Sequence, residues 1–264
     1  MRLIPFFFFF VSTVAFPQKT IKTTFVKKIE LKAESIISVD KVSNFEVIKY
    51  IDNNTLFRKH KDAIIYNYSN VQLGDITSVD AFSPLKIKVF YKNFNTIVVL
   101  DNRFSEMDKI DFNTIKPYKN ISHVSTGFGS KLWVFNQDLQ QLELFNYKTG
   151  EVWAKALPVQ SLVIQLVSSY TYCWLLTEKY LYKYDAYGSL IYKIENKNYI
   201  AMALNYGNIV LQSNDKSLYY LPKNSQVISP IETPKLLINQ FLLNRGSLYL
   251  YDNEFLHEYQ LIKD

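Results

Sequence analysis

The most restrictive feature of this 264-residue sequence is a unit of strands that recurs about every 40 residues. Four copies begin at residues 131, 172, 208 and 247, and each contains an apolar run, a polar tip, a second apolar run and a turn. Two further copies are predicted upstream, one starting at residue 87 and one joining residues 55–58 to residues 63–68. The apolar runs lack sustained helical spacing, so the sequence predicts an all-β fold of successive, equivalent sheets.

A period of about 40 residues with about four strands per unit is typical of β-propeller blades, which are covered by neighbouring blades on both faces. The central runs fit this arrangement because residues 132–135 and 174–176 are apolar at every position. A sheet with one exposed face would alternate instead. We therefore predict a β-propeller of about six four-stranded antiparallel blades, with a pair of packed β-sandwiches as the alternative fold.

The two ends of the chain predict how the ring closes. The last unit reaches Asp264 before it has an outermost strand, while residues 25–31 form an alternating strand that belongs to no unit. We expect this N-terminal strand to complete the final blade, because closure removes exposed sheet edges. The chain has only 7 glycines, few for a fold with many tight turns, so we expect Asn and Asp to occupy turn positions.

The first 17 residues have the features of a signal peptide. Arg2 provides a positive charge, residues 3–11 form an apolar run, and residues 13–15 offer the small-x-small pattern that precedes cleavage. The apolar run is shorter than the roughly 20 residues needed to cross a bilayer, and no second run of that length follows. We expect residues 1–17 to be removed on export, leaving residues 18–264 as one propeller domain without a membrane span.

No motif in the sequence predicts catalysis or cofactor binding. His60, His123 and His257 lack metal-ligand spacing, and residues 127–131 lack the long glycine-rich loop and following helix of a phosphate site, so they indicate a blade turn. Cys173 is the only cysteine, which precludes an internal disulfide, and its apolar neighbours indicate a core position. We therefore predict a protein with no metal, no cofactor and no enzymatic activity.

The positive charge of the chain does not indicate a nucleic-acid partner. The formal net charge is +6, but the basic residues are spread along the chain. Their densest group, residues 58–61, is followed directly by Asp62. A solvated strand face or hairpin tip accounts for such a group, so we predict no nucleic-acid binding.

Carboxylates leave one catalytic alternative open. Asp75, Asp80 and Asp101 lie near predicted strand ends, and two facing carboxylates could serve a carbohydrate-active or other hydrolytic propeller. Isolated Asp residues at strand ends usually form hydrogen bonds within a turn, which is the simpler interpretation. A structural module without a fixed partner is the third possibility.

Residues 74–102 carry a more specific pattern. Asp80-Ala-Phe-Ser-Pro-Leu-Lys leads into Phe90-Tyr-Lys-Asn-Phe-Asn-Thr-Ile, and Leu100-Asp-Asn closes the block. This block resembles a family of exported proteins from Bacteroidota that includes the periplasmic plug subunit of the type 9 secretion translocon. The resemblance implies a periplasmic protein that binds an outer-membrane translocon, blocks the periplasmic end of its pore and carries no catalytic residues.

A loop inside this block is the candidate partner-binding site. Phe94 lies between Asn93 and Asn95, and a Phe at such a position is poor turn chemistry. Exposed loops at the flat ends of a propeller suit docking to a large protein partner. We therefore predict that Tyr91, Asn93, Phe94 and Asn95 contact the partner, while packing of Phe94 into its own blade remains the alternative.

Overall fold

Six sheets arranged in a ring make up the protein. The computed structural model describes residues 20–42, 45–60 and 63–262, and within these residues 24 strands form six four-stranded antiparallel sheets. The predicted six-bladed propeller is therefore confirmed, and the fold is not a pair of packed sandwiches. The predicted signal peptide, residues 1–17, lies outside the described residues and stays a prediction.

The chain first forms β1 (Lys22–Glu30), which joins the last blade, and then builds the blades in order. In blades 1 to 5 the first strand lines the central channel and the fourth is outermost. Blade 1 contains β2 (Ser35–Val42), β3 (Phe45–Asp52), β4 (Thr55–His60) and β5 (Ala63–Tyr68); blade 2 contains β6 (Ser78–Asp80), β7 (Ile87–Tyr91), β8 (Thr96–Leu100) and β9 (Glu106–Asp111); blade 3 contains β10 (Ile121–Thr126), β11 (Lys131–Asn136), β12 (Gln141–Asn146) and β13 (Glu151–Lys155).

The second half of the ring repeats this order, and its last blade takes β1 as the fourth strand. Blade 4 contains β14 (Val163–Ser168), β15 (Tyr172–Thr177), β16 (Tyr180–Asp185) and β17 (Leu190–Glu195); blade 5 contains β18 (Tyr199–Asn205), β19 (Asn208–Ser213), β20 (Leu218–Leu221) and β21 (Ser229–Ile231); blade 6 contains β22 (Gln240–Asn244), β23 (Ser247–Tyr251), β24 (Phe255–Ile262) and β1.

Closure by the N-terminal strand is confirmed. β1 pairs antiparallel with β24, and Phe25 lies opposite Tyr259. Their aromatic side chains meet edge to face, with ring centroids 5.6 Å apart. The same segment also holds blade 5, because the Ile21 N–H donates to the Pro230 carbonyl at 2.9 Å and the Ile21 carbonyl accepts from Glu232 N at 2.8 Å. The N-terminal segment therefore ties the two ends of the chain together and joins blade 5 to blade 6.

The hydrophobic core consists of six layers, one between each pair of neighbouring blades. Successive side chains of one central strand enter different layers, as β11 illustrates. Leu132 and Val134 pack in the layer towards blade 2, while Trp133 and Phe135 pack in the layer towards blade 4. This two-sided burial explains the unbroken apolar runs, since each fully buried large side chain contributes about 1.5–3 kcal/mol.

The position predicted for the earliest repeat unit is wrong by one strand. Elsewhere the predicted start coincides with the second strand of a blade, but Thr55 begins β4, the third strand of blade 1. The second strand is β3, whose apolar run is interrupted by Lys49. Lys49 is buried nonetheless, because its ammonium group pairs at 2.5 Å with Asp40 on β2. An ion pair with a partly exposed carboxylate thus allows a lysine to be buried here and hides this strand from a search for apolar runs.

Asn takes over turn positions, as the small number of glycines predicts. Of the non-glycine residues with positive φ in the described chain, half are Asn, whereas no Asp is found there. Asp serves the turns differently, by accepting a backbone N–H two residues later: Asp101 accepts from Arg103 N at 2.7 Å and Asp185 from Tyr187 N at 2.8 Å. The two residue types therefore support turns in different ways.

The ring has two ends, which carry different kinds of loop. The hairpin face carries the loops between the first and second strands and between the third and fourth strands of the blades. The inter-blade face carries the loops between the second and third strands and the crossings from one blade to the next. Within the described residues no helix is long and apolar enough to cross a membrane.

Candidate protein-docking face

A channel runs along the axis of the ring, with a volume of about 1300 Å³, and is lined by the innermost strand of every blade. Side-chain amides connect blades along its wall. The Gln165 amide accepts from Met202 N at 2.6 Å and donates to Met202 O at 3.0 Å. The Gln240 amide makes the same pair of bonds to Ile36, at 2.6 and 2.7 Å. These bonds join blade 4 to blade 5 and blade 6 to blade 1.

Three exposed aromatic side chains meet where the channel opens on the hairpin face. We call Phe82, Phe128 and Tyr170 the aromatic cluster; they come from the first loop of blades 2, 3 and 4, respectively. The Tyr170 ring lies edge to face against both others, with centroids 5.0 Å from Phe82 and 6.4 Å from Phe128. The exposed fractions are 42 % for Phe82, 64 % for Phe128 and 43 % for Tyr170, so the cluster presents a contiguous apolar surface.

A hydrogen-bond network centred on Asp80 holds the three loops in place. One carboxylate oxygen of Asp80 accepts from Ser125 Oγ at 2.9 Å and from Thr126 N at 2.6 Å, and the other accepts from Phe82 N at 2.9 Å. Ser168 extends the network to blade 4 by donating to Ser125 Oγ at 2.8 Å and to the Thr126 carbonyl. Each aromatic residue of the cluster therefore comes only a few residues after a member of this network in the sequence.

A buried lysine lies in the same network. Lys88 donates to Thr126 Oγ1 at 2.6 Å and is almost completely buried. Burial lowers the pKa of its ammonium group, whereas the negative charge of Asp80 acts in the opposite direction. The charge of Asp80 therefore offsets part of the cost of burying the Lys88 ammonium group.

The predicted partner-binding residues lie on the inter-blade face. Tyr91 and Asn95 are buried, and the Asn95 amide donates to the Lys119 carbonyl at 2.6 Å and accepts from Ile121 N at 3.0 Å. Asn93 and Phe94 are exposed, and the Phe94 ring lies beside Gly74. The structure therefore gives Asn95 a role in the crossing between blades, while the contact of Tyr91, Asn93, Phe94 and Asn95 with a partner stays a prediction.

The three aspartates of the hydrolytic alternative occupy different places in the fold. Asp75 is exposed in the crossing from blade 1 to blade 2, Asp101 accepts backbone hydrogen bonds in an outer turn of blade 2, and Asp80 forms the network described above. The turn interpretation is correct for Asp101. For Asp80 it is incomplete, because this carboxylate also connects blade 2 to blade 3.

The histidines are likewise separate from one another. His60 lies on β4, His257 pairs with Asp252 at 2.8 Å, and His123 lines the channel. Burial lowers the pKa of His123, as does the nearby charge of Lys92. Among the residues that the structure describes, no group of three or more His, Cys, Asp or Glu side chains could hold a metal ion.

Two sequence interpretations of core and turn residues are confirmed. Cys173 is completely buried, and burial raises the pKa of its thiol well above the usual value, which suits a core side chain rather than a nucleophile. Residues 127–130 form a blade turn, in which Gly127 N donates to the Lys131 carbonyl at 2.9 Å. A Cβ at Gly127 would lie 2.7 Å from backbone atoms of Lys131, so the close approach of the chain requires glycine.

Sequence reasoning did not identify the aromatic cluster. One local signal was available, because Phe128 stands between two glycines in a turn, an unusual position for a large apolar side chain. Phe82 and Tyr170 lie in turns of other blades, more than 40 residues away on either side. Their meeting depends on the curvature of the ring and not on any spacing in the sequence.

Comparison with known proteins supports the fold alone. No protein-family model matches this chain, and no curated protein sequence matches it either. Among solved structures, a chain of the mitotic checkpoint complex is 9 % identical with a TM-score of 0.63, over 100 % of this chain and 99 % of that one. Virginiamycin B lyase from Staphylococcus aureus is 12 % identical with a TM-score of 0.59, over 86 % and 80 %.

A third similar structure is the WD40 domain of Pan2 from Neurospora crassa, with 9 % identity and a TM-score of 0.57 over 87 % of this chain and 76 % of that one. These proteins include a lyase, a WD40 domain and a chain of a checkpoint complex, and their sequences differ from this one at about nine positions in ten. The likeness therefore shows that the chain shares the β-propeller architecture.

Proposed function

We propose that this protein is a non-catalytic, periplasmic protein-binding subunit that docks through its hairpin face. The observation that carries the proposal is the aromatic cluster of Phe82, Phe128 and Tyr170, exposed at one end of the channel. Exposed apolar surface is costly unless it is covered by a partner, and aromatic side chains dominate the energetics of protein interfaces.

The rigidity of the cluster supports docking rather than incidental exposure. Its loops are short, and the Asp80 network connects all three to the ends of innermost strands. Side chains that are already held in place lose little conformational entropy when a partner binds, so such a surface gains affinity from preorganisation. The hairpin face therefore offers a preorganised contact surface, which a long mobile loop would not provide.

For the location and the partner, the proposal relies on the sequence. The apolar run at residues 3–11 with the cleavage pattern at residues 13–15 supports export. The resemblance at residues 74–102 supports an outer-membrane protein-secretion translocon as partner, with this protein blocking the periplasmic end of the pore. Phe82 belongs to that same block, which connects the resemblance to the aromatic cluster.

Site-specific photocrosslinking in the native host tests the proposal. A photoreactive phenylalanine analogue replaces Phe128 on the hairpin face or, in a matched strain, Leu139 on the inter-blade face, and both parent side chains are exposed. We expect position 128 to crosslink to a subunit of an outer-membrane translocon and position 139 not to do so. Crosslinks to a translocon from position 139 alone would refute docking through the hairpin face.

A variant series separates the two candidate surfaces. Replacing the aromatic cluster with F82S, F128S and Y170S is expected to reduce co-purification of the partner at least about tenfold, because it removes the central contact. Phe94→Ser is the control, because the Phe94 side chain is 46 % exposed on the inter-blade face. The same variant also tests the predicted contact of Asn93 and Phe94 with a partner. Loss of the partner in F94S with retention in the triple variant would favour the inter-blade face.

A further inference from the structure

The loops on the two faces differ in charge. The described loops of the hairpin face contain one carboxylate, Asp101, and five basic side chains: Lys86, Arg103, Lys148, Lys223 and Arg245. The described loops of the inter-blade face balance their charges. They contain the basic residues Lys32, Lys92, Lys116, Lys119, Lys179, Lys197, Lys216 and Lys235, and the acidic residues Glu34, Asp75, Asp138, Glu178, Asp215, Glu232, Asp252 and Glu254.

Two of the cations on the hairpin face stand at the channel opposite the aromatic cluster. Lys223 of blade 5 and Arg245 of blade 6 are exposed and line the channel, as do Phe82 of blade 2 and Tyr170 of blade 4. Neither cation forms an ion pair with a carboxylate in the described part of the chain. The mouth therefore carries the aromatic cluster and Asp80 on one side, and Lys223, Arg245 and the exposed Tyr206 on the other.

The position of Lys223 results from the local fold. Its aliphatic chain crosses the space beside Gly207, where a Cβ would lie 2.7 Å from the lysine Cγ. Its carbonyl accepts a hydrogen bond at 2.8 Å from the buried ammonium group of Lys183. The backbone and the stem of Lys223 are therefore held, while the charged end remains exposed.

We infer that the mouth of the channel binds an acidic, extended segment of the protein partner, whose carboxylates pair with Lys223 and Arg245 and whose apolar side chains pack on the aromatic cluster. This inference rests on the proposed docking function and specifies the chemistry of the partner. Unpaired cations beside exposed aromatic side chains are complementary to a chain in which carboxylates and apolar residues are mixed.

The shape of the site favours an inserted segment over a flat surface. The channel, at about 1300 Å³, exceeds the roughly 300–1,000 Å³ of typical small-molecule pockets, which favours a peptide segment over a small molecule as the occupant. Phe82 and Tyr170 line a recess, whereas a bilayer surface would contact side chains that project outward. A peptide is therefore the expected occupant, and an anionic lipid surface is the competing outcome.

Binding of synthetic probes to the purified protein tests the inference. The probe is a short fluorescent peptide of alternating Glu and Phe residues, and the control peptide carries Gln in place of Glu. We expect the Glu peptide to bind at least about tenfold more tightly and its affinity to fall as salt is raised, because exposed charge pairs are screened. Equal affinities for the two peptides would overturn the inference.

Charge-reversal variants assign the binding to the mouth. K223E with R245E is expected to weaken the Glu peptide at least about tenfold, whereas K216E with K235E, which reverses two exposed lysines on the inter-blade face, should leave its affinity unchanged. Anionic phosphatidylglycerol vesicles form the second arm. If the wild-type protein binds the vesicles but not the Glu peptide, and K223E/R245E loses vesicle binding, the ligand of the mouth is a lipid surface and the acidic peptide is wrong.

Partner capture distinguishes failure of this inference from failure of the proposed function. If K223E/R245E still captures the native partner while the aromatic triple variant does not, docking stands and the acidic segment is wrong. If neither variant loses the partner, both proposals fail. Circular dichroism of every variant confirms that the fold is retained before affinities are compared.

Discussion

Asn54 and Asn95 make the same pair of hydrogen bonds in neighbouring blades. The Asn54 amide donates to the Gly74 carbonyl at 3.1 Å and accepts from Ile76 N at 2.7 Å. The Asn95 amide does the same with Lys119 and Ile121. Both residues end the turn between the second and third strands in a left-handed conformation, with φ of 55° and 49°. Each one thereby anchors the crossing to the next blade.

We expect Asn95→Ala to lower the free energy of unfolding by about 1–3 kcal/mol, because the buried Ile121 N–H loses its acceptor. Asn253→Ala is the matched control. Asn253 also has positive φ, but the described chain shows no side-chain hydrogen bond from it, so this variant measures the cost of the left-handed conformation alone. Urea unfolding measures both, and equal losses would show that the Asn95 amide contributes nothing.

The buried ion pair between Lys119 and Glu143 provides a second test. Their charged atoms are 2.5 Å apart, and the side chains are 4 % and 0 % exposed. Lys119→Met is expected to destabilise the protein by about 3–5 kcal/mol, because it leaves an unpaired carboxylate in the core. Thermal and urea unfolding of the variant provide the measurement.

Two further variants isolate the effect of the unpaired charge. Replacing both partners, by K119M with E143L, should recover most of the stability, since an apolar pair of similar volume needs no counter-charge. Lys148→Met removes a pair with Asp108 in which the lysine is 55 % exposed, and we expect a change below about 1 kcal/mol. A double variant as unstable as K119M would contradict this account.

The partly buried His123 predicts a pH dependence of stability. Burial lowers its pKa in the folded state, so the unfolded chain, with a pKa near 6.5, binds the proton more readily. Above about pH 6.5 His123 is neutral in both states and has no effect on the pH dependence. As the pH drops below about 6.5, protonation of the unfolded chain lowers the free energy of unfolding, until the pH reaches the folded-state pKa. The slope cannot exceed about 1.4 kcal/mol per pH unit for one proton.

His123→Gln tests this dependence, because glutamine retains a polar side chain at the channel wall without titrating. Urea unfolding at several values between about pH 7.5 and 5 gives the free energy of wild type and variant, and their difference removes the contribution of the carboxylates. We expect the difference between the two proteins to change with pH below about 6.5 and to be constant above it. Parallel curves over the whole range would contradict the role of His123.

Closure of the ring by β1 gives a prediction about assembly. A chain that starts at residue 31 would expose the edge of β24 and uncover Tyr259, which packs against Phe25. We expect this truncation to lose cooperative unfolding and to associate, since an unpaired edge invites pairing with another chain. A chain that starts at residue 18 is the control, and size-exclusion chromatography with light scattering compares them. A monomeric, cooperatively unfolding truncated protein would show that β1 is dispensable.

Much of the architecture could be predicted because its causes are local. The unbroken apolar run at residues 132–135 indicates burial on two faces. The N-terminal strand that belongs to no repeat unit indicates that the final blade needs a fourth strand. The prediction was wrong at β3, where the buried Lys49 depends on a carboxylate from another strand. An analysis of separate apolar runs assigns such a charged residue to the surface, because the partner that neutralises it comes from another strand.

The candidate site was far less predictable than the fold. The sequence singled out Tyr91 and Asn95 as surface contacts, yet both are buried, and Asn95 serves the crossing between blades. Asp80 was interpreted as a turn residue or a catalytic carboxylate, and it proves to hold three loops together. Both residues act across blades, and such roles leave no trace in the spacing of neighbouring residues.

The amino-acid order alone determined that the chain forms strands, that these recur as blades, and that the first strand completes the last sheet, because each depends on the pattern of apolar residues over short distances. Only the tertiary structure decided that Phe82, Phe128 and Tyr170 meet, and that Lys223 and Arg245 stand across the channel from them. The physical reason is that the closed ring brings together turns of different blades, and their distance in space is set by the packing of whole sheets.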